Sequence, residues 1–261
     1  MAIRKNVYVD FSTESPLNLF NTATGITALA ATTTVNAFRT SQGEYFEMYN
    51  DAQNDQLVLT GGAIGTTGWV PPLDNAADGL EITRGINAAN AKSKFTVGTD
   101  AAFFLRVGGK AGTIAPTTAF LVGFRKLGAY AAVKGATSAT AITAFTDAAY
   151  IGVVDVAGLL KTQTSNDNAD VATSLAHAAI ADATWFSYEV NVSAAGAVTY
   201  RLGTSLVSFA AAEAALAADA SAVAFSFDDA EVLVPSIIIA GTAATAINDI
   251  GILKYECGYT S

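Results

Sequence analysis

The stretch that most constrains this chain runs from Trp185 to Leu202, WFSYEVNVSAAGAVTYRL. Phe186, Tyr188, Val190 and Val192 alternate with Ser187, Glu189 and Asn191, the period-2 pattern of a strand with one buried face. Ser193 to Gly196 then supplies small residues and a glycine where the chain must reverse. Val198, Tyr200 and Leu202 alternate in turn with Thr199 and Arg201. The pattern predicts a hairpin, and a hairpin with one apolar face needs further strands to cover it.

The rest of the chain supplies them. Strand candidates are Val7–Val9, Glu44–Asn50, Gln56–Leu59, Leu80–Thr83, Ala102–Val107 and Phe120–Arg125. Tyr150–Val156 and Leu159–Thr164 read as a second hairpin turning at Ala157–Gly158, and Val223–Phe227, Val232–Ala240 and Ile250–Cys257 close the chain. Phe209–Ala220, FAAAEAALAADA, predicts one short helix, because it is rich in alanine and lacks Gly and Pro. Many short strands with frequent turns predict an all-β antiparallel sandwich or jelly roll with that helix inserted, not a βαβ fold. At 261 residues one large β body is feasible. We expect it over residues 41–261, preceded by an arm or peripheral strand region over residues 1–40, whose Thr/Ala-rich part, Thr22–Thr34, has little periodicity.

Charge narrows the function. Only 14 Lys and Arg stand against 23 Asp and Glu, a net charge of −9, and the cations never run beyond pairs such as Arg4–Lys5 and Arg125–Lys126. Nucleic acid is therefore not an expected partner, since phosphate binding needs clustered cations. Charged residues make up 14% of the chain against about 25% in ordinary domains, and low surface charge favours packing against neighbouring subunits. The amino-terminal MAIRKNVYVDFSTES lacks the apolar core of a signal peptide. The apolar run Val232–Ile247 is broken by Pro235 and Ala141–Leu160 by Asp147 and Asp155, so no membrane span is expected. These features predict a soluble protein made in a cytoplasm.

Motifs for chemistry fail one by one. His177 is the single histidine and no G-x-S-x-G surrounds a nucleophile. Cys257, the single cysteine, excludes an internal disulfide and reads as a packed thiol. GGAIGTTG at Gly61–Gly68 lacks the lysine of a phosphate loop. Asn166, Asn168 and Asp170 occupy the first, third and fifth places of a calcium loop, but Val171 and His177 stand where Gly and Glu belong. Asp228, Asp229 and Glu231 read as a solvated acidic turn, with calcium the alternative. Asp78 and Glu81 fall on opposite faces of a strand, and Glu189 is alone on its own, so no glycosidase pair is expected. Of the aromatics available for a sugar platform, Trp69, Tyr130, Tyr150, Trp185 and Tyr188, most lie in apolar patterns that predict packing. No catalytic, cofactor-binding or metal-binding residue is therefore expected.

WFSYEVNVSAAGAVTYRLG at Trp185–Gly203 resembles the Trp-strand-Gly-strand hairpin of concanavalin A-like, laminin-G-like jelly rolls, with Leu202 where that family often has Asp before the glycine. GWVPPLDNAADGLEITRGI at Gly68–Ile86, KFTVGTDAAFFLRV at Lys94–Val107, VGFRK at Val122–Lys126, FSFDDAEVLVP at Phe225–Pro235 and LKYECG at Leu253–Gly258 are similar to tailed-phage virion proteins of this fold. The resemblance implies a non-enzymatic capsid decoration (cement) protein or head fibre, on the capsid exterior of a virion. Its implied partners are the major capsid protein and sister subunits in a trimer or dimer. It carries no catalytic residues. The alternatives are a carbohydrate-binding module of a phage fibre or surface protein and, behind it, a polysaccharide hydrolase or lyase.

Overall fold

The structure is a computed structural model, and it describes residues 7–11, 16–20, 34–50, 64–65, 68–69, 79–85, 91–114, 117–128, 142, 145–153, 158–167, 169–175, 179–203, 217–218, 222–241 and 250–260. The strands of its first half are β1 (Val7–Asp10), β2 (Pro16–Phe20), β3 (Thr34–Thr40), β4 (Tyr45–Asn50), β5 (Ile64–Gly65), β6 (Gly68–Trp69), β7 (Gly79–Thr83), β8 (Phe95–Thr96), β9 (Phe103–Ala111) and β10 (Thr117–Lys126). Those of its second half are β11 (Ala148–Val153), β12 (Leu160–Asn166), β13 (Ala169–Ser174), β14 (Trp185–Val192), β15 (Val198–Gly203), β16 (Ala217–Ala218), β17 (Val232–Gly241) and β18 (Ile250–Tyr259).

These strands form two antiparallel sheets. One runs β16-β15-β14-β9-β18-β6-β5, with β1 also on β18; the other runs β13-β12-β11-β10-β17-β7-β4-β3-β2, with β8 also on β17. The expected antiparallel sandwich of jelly-roll type is the architecture found. The opening hairpin is β14–β15, in the register Val190↔Tyr200 and Val192↔Val198, and β14 also pairs with β9. Phe186, Tyr188, Val190, Val192, Tyr200 and Leu202 are all buried. They meet the other sheet through Phe120, which lies edge-on to Phe186 at 4.9 Å between ring centres and 6.3 Å from Tyr188. Farther along, Phe103 packs edge-on against Phe124 at 5.1 Å and stacks on Phe95 at 4.5 Å. The β14–β15 turn needs its glycine. Gly196 has φ +88°, and a Cβ there would fall 2.3 Å from the Phe227 carbonyl oxygen.

The ten-stranded sheet is also buried on its outer face. Ala119, Leu121, Ala148, Tyr150, Ile238 and Ala240 form a second apolar cluster there with Ile142 and Phe145. Set into that layer are buried polar residues, Glu47, Glu81, Arg125, Gln163 and Ser236. The adjacent cations Arg125 and Lys126 part company: Arg125 lies in the buried outer layer, and Lys126, the last residue of β10, is exposed.

Two expected elements differ. The helix over 209–220 meets the described residues only at Ala217–Ala218, which are strand and pair with Leu202 and Arg201; the rest lies outside them. Helix propensity is a weak prior that tertiary context overrides, and the edge of β15 offers a ladder instead. Val223–Phe227 makes a single bridge, Ser226↔Ala197, rather than a strand. Phe225 and Phe227 pack edge-on at 5.0 Å, and the segment serves the hairpin turn through Val198 N–H to Phe225 O (3.0 Å) and Phe227 N–H to Gly196 O (3.1 Å). The strand candidate Gln56–Leu59 lies outside the described residues.

Candidate functional site

Three turns from distant parts of the chain interlock at one end of the sandwich. The turn after β8 donates hydrogen bonds from Val97 N–H to Glu231 O (2.9 Å) and from Gly98 N–H to Ala194 O (2.8 Å), and accepts one from Ala230 N–H at Val97 O (3.1 Å). Leu127 N–H to Val232 O (2.7 Å) adds the end of β10. Gly98 sits at φ +77° under Asp229, whose carboxylate oxygen lies 1.7 Å from where a Cβ would be. These contacts explain why the acidic turn Asp228–Glu231 is held rather than free.

A cleft of about 500 Å³ opens beside it, lined by Lys126, Leu127 and Asp228–Val232. Asp228 and Asp229 are exposed on its wall. At its inner edge the Lys126 ammonium bridges Asp147 Oδ2 (3.0 Å) and Glu231 Oε1 (2.6 Å), both carboxylates being buried. Asp147 Oδ1 also accepts from the Asp167 N–H (3.2 Å), and Glu231 Oε2 from the Asp228 N–H (3.1 Å). Burial pushes the Glu231 carboxyl above the usual range, and its hydrogen bond to Asp147 adds to this against the pull of Lys126. Burial also opposes the charge on Asp147, but hydrogen bonds from Glu231, Lys126 and the Asp167 backbone hold its carboxyl below the usual range. The two carboxyls are thus pushed in opposite directions, Glu231 up and Asp147 down.

The signs of these shifts give a pH signature. Asp147, lowered in the fold, contributes stability above its unfolded pKa of about 3.9 and loses it as pH falls. Glu231, raised in the fold, contributes below its unfolded value of about 4.3, and this is lost as pH rises through the folded value. Asp147→Asn is expected to flatten the acid limb of a pH–stability curve and Glu231→Gln the limb above it. Urea midpoints from about pH 3 to about pH 8 read both, and identical curves for the wild type and both variants would refute the two opposed shifts.

The residues singled out in sequence fare differently. Cys257 is buried, with its thiol pushed up to about 12 by burial, as suits a packed side chain. His177, Asp78, Tyr130 and Asn168 lie outside the described residues, as does most of Gly61–Gly68. Asn166 and Asp170 are on the paired strands β12 and β13, opposite Ala169 and Ser165, in a hairpin and not a calcium loop. Among the described residues no group of three metal-ligating side chains gathers, at Asp228–Glu231 or elsewhere. Trp69, Tyr150 and Tyr188 are buried, and Trp185, half-buried, carries the Lys110 ammonium 5.3 Å from its ring centre. Glu81 is locked to Arg125.

Glu189, the only carboxylate of β14, is held by its neighbours. Arg106 Nε donates to it (2.5 Å), Asn191 Nδ2 donates to it (2.6 Å), and Arg106 Nη1 also reaches Glu256 (3.0 Å). With Arg201 at 3.9 Å, β18, β9, β14 and β15 carry an alternating Glu-Arg-Glu-Arg row. Lys126, which lines the cleft, and Asp147, behind it, carried no sequence signal: one ends β10, the other immediately precedes β11, and they meet only through the β10–β11 pairing.

No protein-family model matches the sequence, and no curated protein sequence matches it either. Among solved structures it is similar to a protein of unknown function from Shewanella oneidensis, at 14% identity and a TM-score of 0.46 over 90% of each chain. It is also similar to lectin I-B4 of Griffonia simplicifolia, at 11% identity and a TM-score of 0.46 over 97% of this chain and 98% of that one. A legume lectin-like domain from Entamoeba histolytica follows, at 7% identity and a TM-score of 0.45 over 74% of this chain and 84% of that one.

Proposed function

We propose that this chain is a non-enzymatic carbohydrate-binding β-sandwich that takes a short saccharide in the cleft beside Asp228–Val232. The observation that carries the reading is the cleft itself: about 500 Å³, open, edged by two exposed carboxylates and an ammonium, on turns cross-tied by backbone hydrogen bonds. Sugar hydroxyls donate to carboxylates and accept from ammonium groups, and such charge-assisted bonds are about twice as strong as neutral ones. Fixed turns reduce the ordering cost of binding.

A second reading, capsid decoration on a virion with the major capsid protein and sister subunits as partners, is favoured by the 14% charged composition, which suits repeated burial against neighbours. One experiment weighs both. The protein and an Asp228→Asn/Asp229→Asn variant are applied to a glycan array and mixed with undecorated phage heads. Glycan binding that the variant loses by about tenfold or more supports the first reading. Binding to heads with no glycan bound replaces it with the second, and binding to neither overturns both.

A further inference from the structure

On the other side of the β8 turn lies a separate pocket of about 300 Å³, lined by Lys92, Ser93, Lys94, Phe95, Cys257 and Tyr259 among others. We propose that it binds a small ligand through an oxyanion, a carboxylate or phosphate, held by Lys92 and Lys94, with the buried guanidinium of Arg84 behind its wall. No carboxylate lines it, in a chain where acids outnumber cations by 23 to 14. Lys92 and Lys94 are exposed at its rim, and among the described residues neither is paired with a carboxylate. The Lys92 ammonium instead lies 5.9 Å from the centre of the Tyr45 ring.

Arg84 stands behind Ser93. It is 4% exposed, its Nε donates to Ser93 Oγ (2.9 Å) and its Nη2 is taken by Glu44 (2.8 Å). Its Nη1 is buried with no hydrogen-bond partner. A buried donor on a charged group left unmet is costly. Its field reaches the pocket wall at Cys257, where it opposes the effect of burial on the thiol. The mount is fixed. Lys92 N–H bonds to Arg84 O (2.7 Å), Thr96 N–H to Asp100 Oδ2 (2.7 Å), and Phe95 packs edge-on to Tyr259 at 5.2 Å. The volume equals that of about ten liquid waters, room for a ligand of monosaccharide size with its oxyanion against the cations.

The test is a ¹H–¹⁵N titration of the full chain at constant ionic strength with sodium phosphate, sodium acetate and sodium glucuronate. The expected result is saturable shifts confined to residues 92–95 and 257–259 with at least one of them, weakened about tenfold in Lys92→Gln/Lys94→Gln. Response to phosphate alone assigns a phosphorylated ligand, response to glucuronate or acetate a carboxylate. Both lysines are exposed, so the variant keeps the fold, read from unchanged shifts elsewhere. No saturable shift with any of the three, or shifts the double variant leaves unaltered, overturns the proposal.

Discussion

Glu81→Ala is expected to cost the fold about 3–5 kcal/mol, among the largest effects of any single substitution in this chain. Glu81 on β7 and Arg125 on β10 reach each other across the intervening β17, and both side chains are 1% exposed. The contact is two-pronged, Nε to Oε1 at 2.5 Å and Nη2 to Oε2 at 3.3 Å, and Ser236 donates to Oε1 at 2.8 Å. Arg125 Nη1 is spent on the carbonyls of Lys126 and Gly128, each at 3.0 Å, and the Phe145 ring lies 4.9 Å from the guanidinium carbon. Burial by itself would lower the Arg125 pKa, but the adjacent Glu81 charge reverses this and raises it, so the cation stays charged. Removing the carboxylate leaves that cation buried with nothing to balance it. The pair taken as a whole is a different matter, since its desolvation offsets much of its attraction. Glu81→Leu/Arg125→Met is accordingly expected to recover most of the loss, to within about 1–2 kcal/mol of the wild type. Urea unfolding at neutral pH for Glu81→Leu, Arg125→Met and the double gives the cycle, with Glu81→Ala measured beside it. A Glu81→Ala loss under about 1 kcal/mol would show that the pair is not buried as described.

The fold was legible where one strand carries its own pattern. Phe186 to Val192 alternates without interruption, and the register found for β14–β15 places those residues in the core. Alternation reports a face but not what lies on it. Glu81 and Arg125 are 44 positions apart, and Arg106 and Glu256 are 150 apart, so neither ion pair can be inferred from local sequence. The same holds for Lys126 with Asp147 and Glu231, which only the β10–β11 and β10–β17 pairings bring together. Local signals also mislead where tertiary context decides. Alanines at 217–218 enter a strand because an open edge was beside them, and the apolar Val223–Phe227 became a brace because two phenylalanines found each other.

Val190→Asp is expected to abolish folding. Val190 is fully buried at the middle of β14, paired with Tyr200 on one side and Leu105 on the other. Losing the apolar side chain costs about 1.5–3 kcal/mol, and an unpaired carboxylate in the core costs several more. Together these rival the whole stability of a typical domain, about 5–15 kcal/mol. Alternation supplies the control. Thr199 on β15 is exposed, so Thr199→Asp places the same charge on the same hairpin but outside the core. It is expected to change stability by no more than about 1 kcal/mol. Circular dichroism and a urea midpoint compare the two. A Val190→Asp protein that stays soluble and folded, with a midpoint close to that of Thr199→Asp, would mean that β14 does not present Val190 to the core. The register shared by β9, β14 and β15 would then be wrong by one residue, because a one-residue slip exchanges the two faces of a strand.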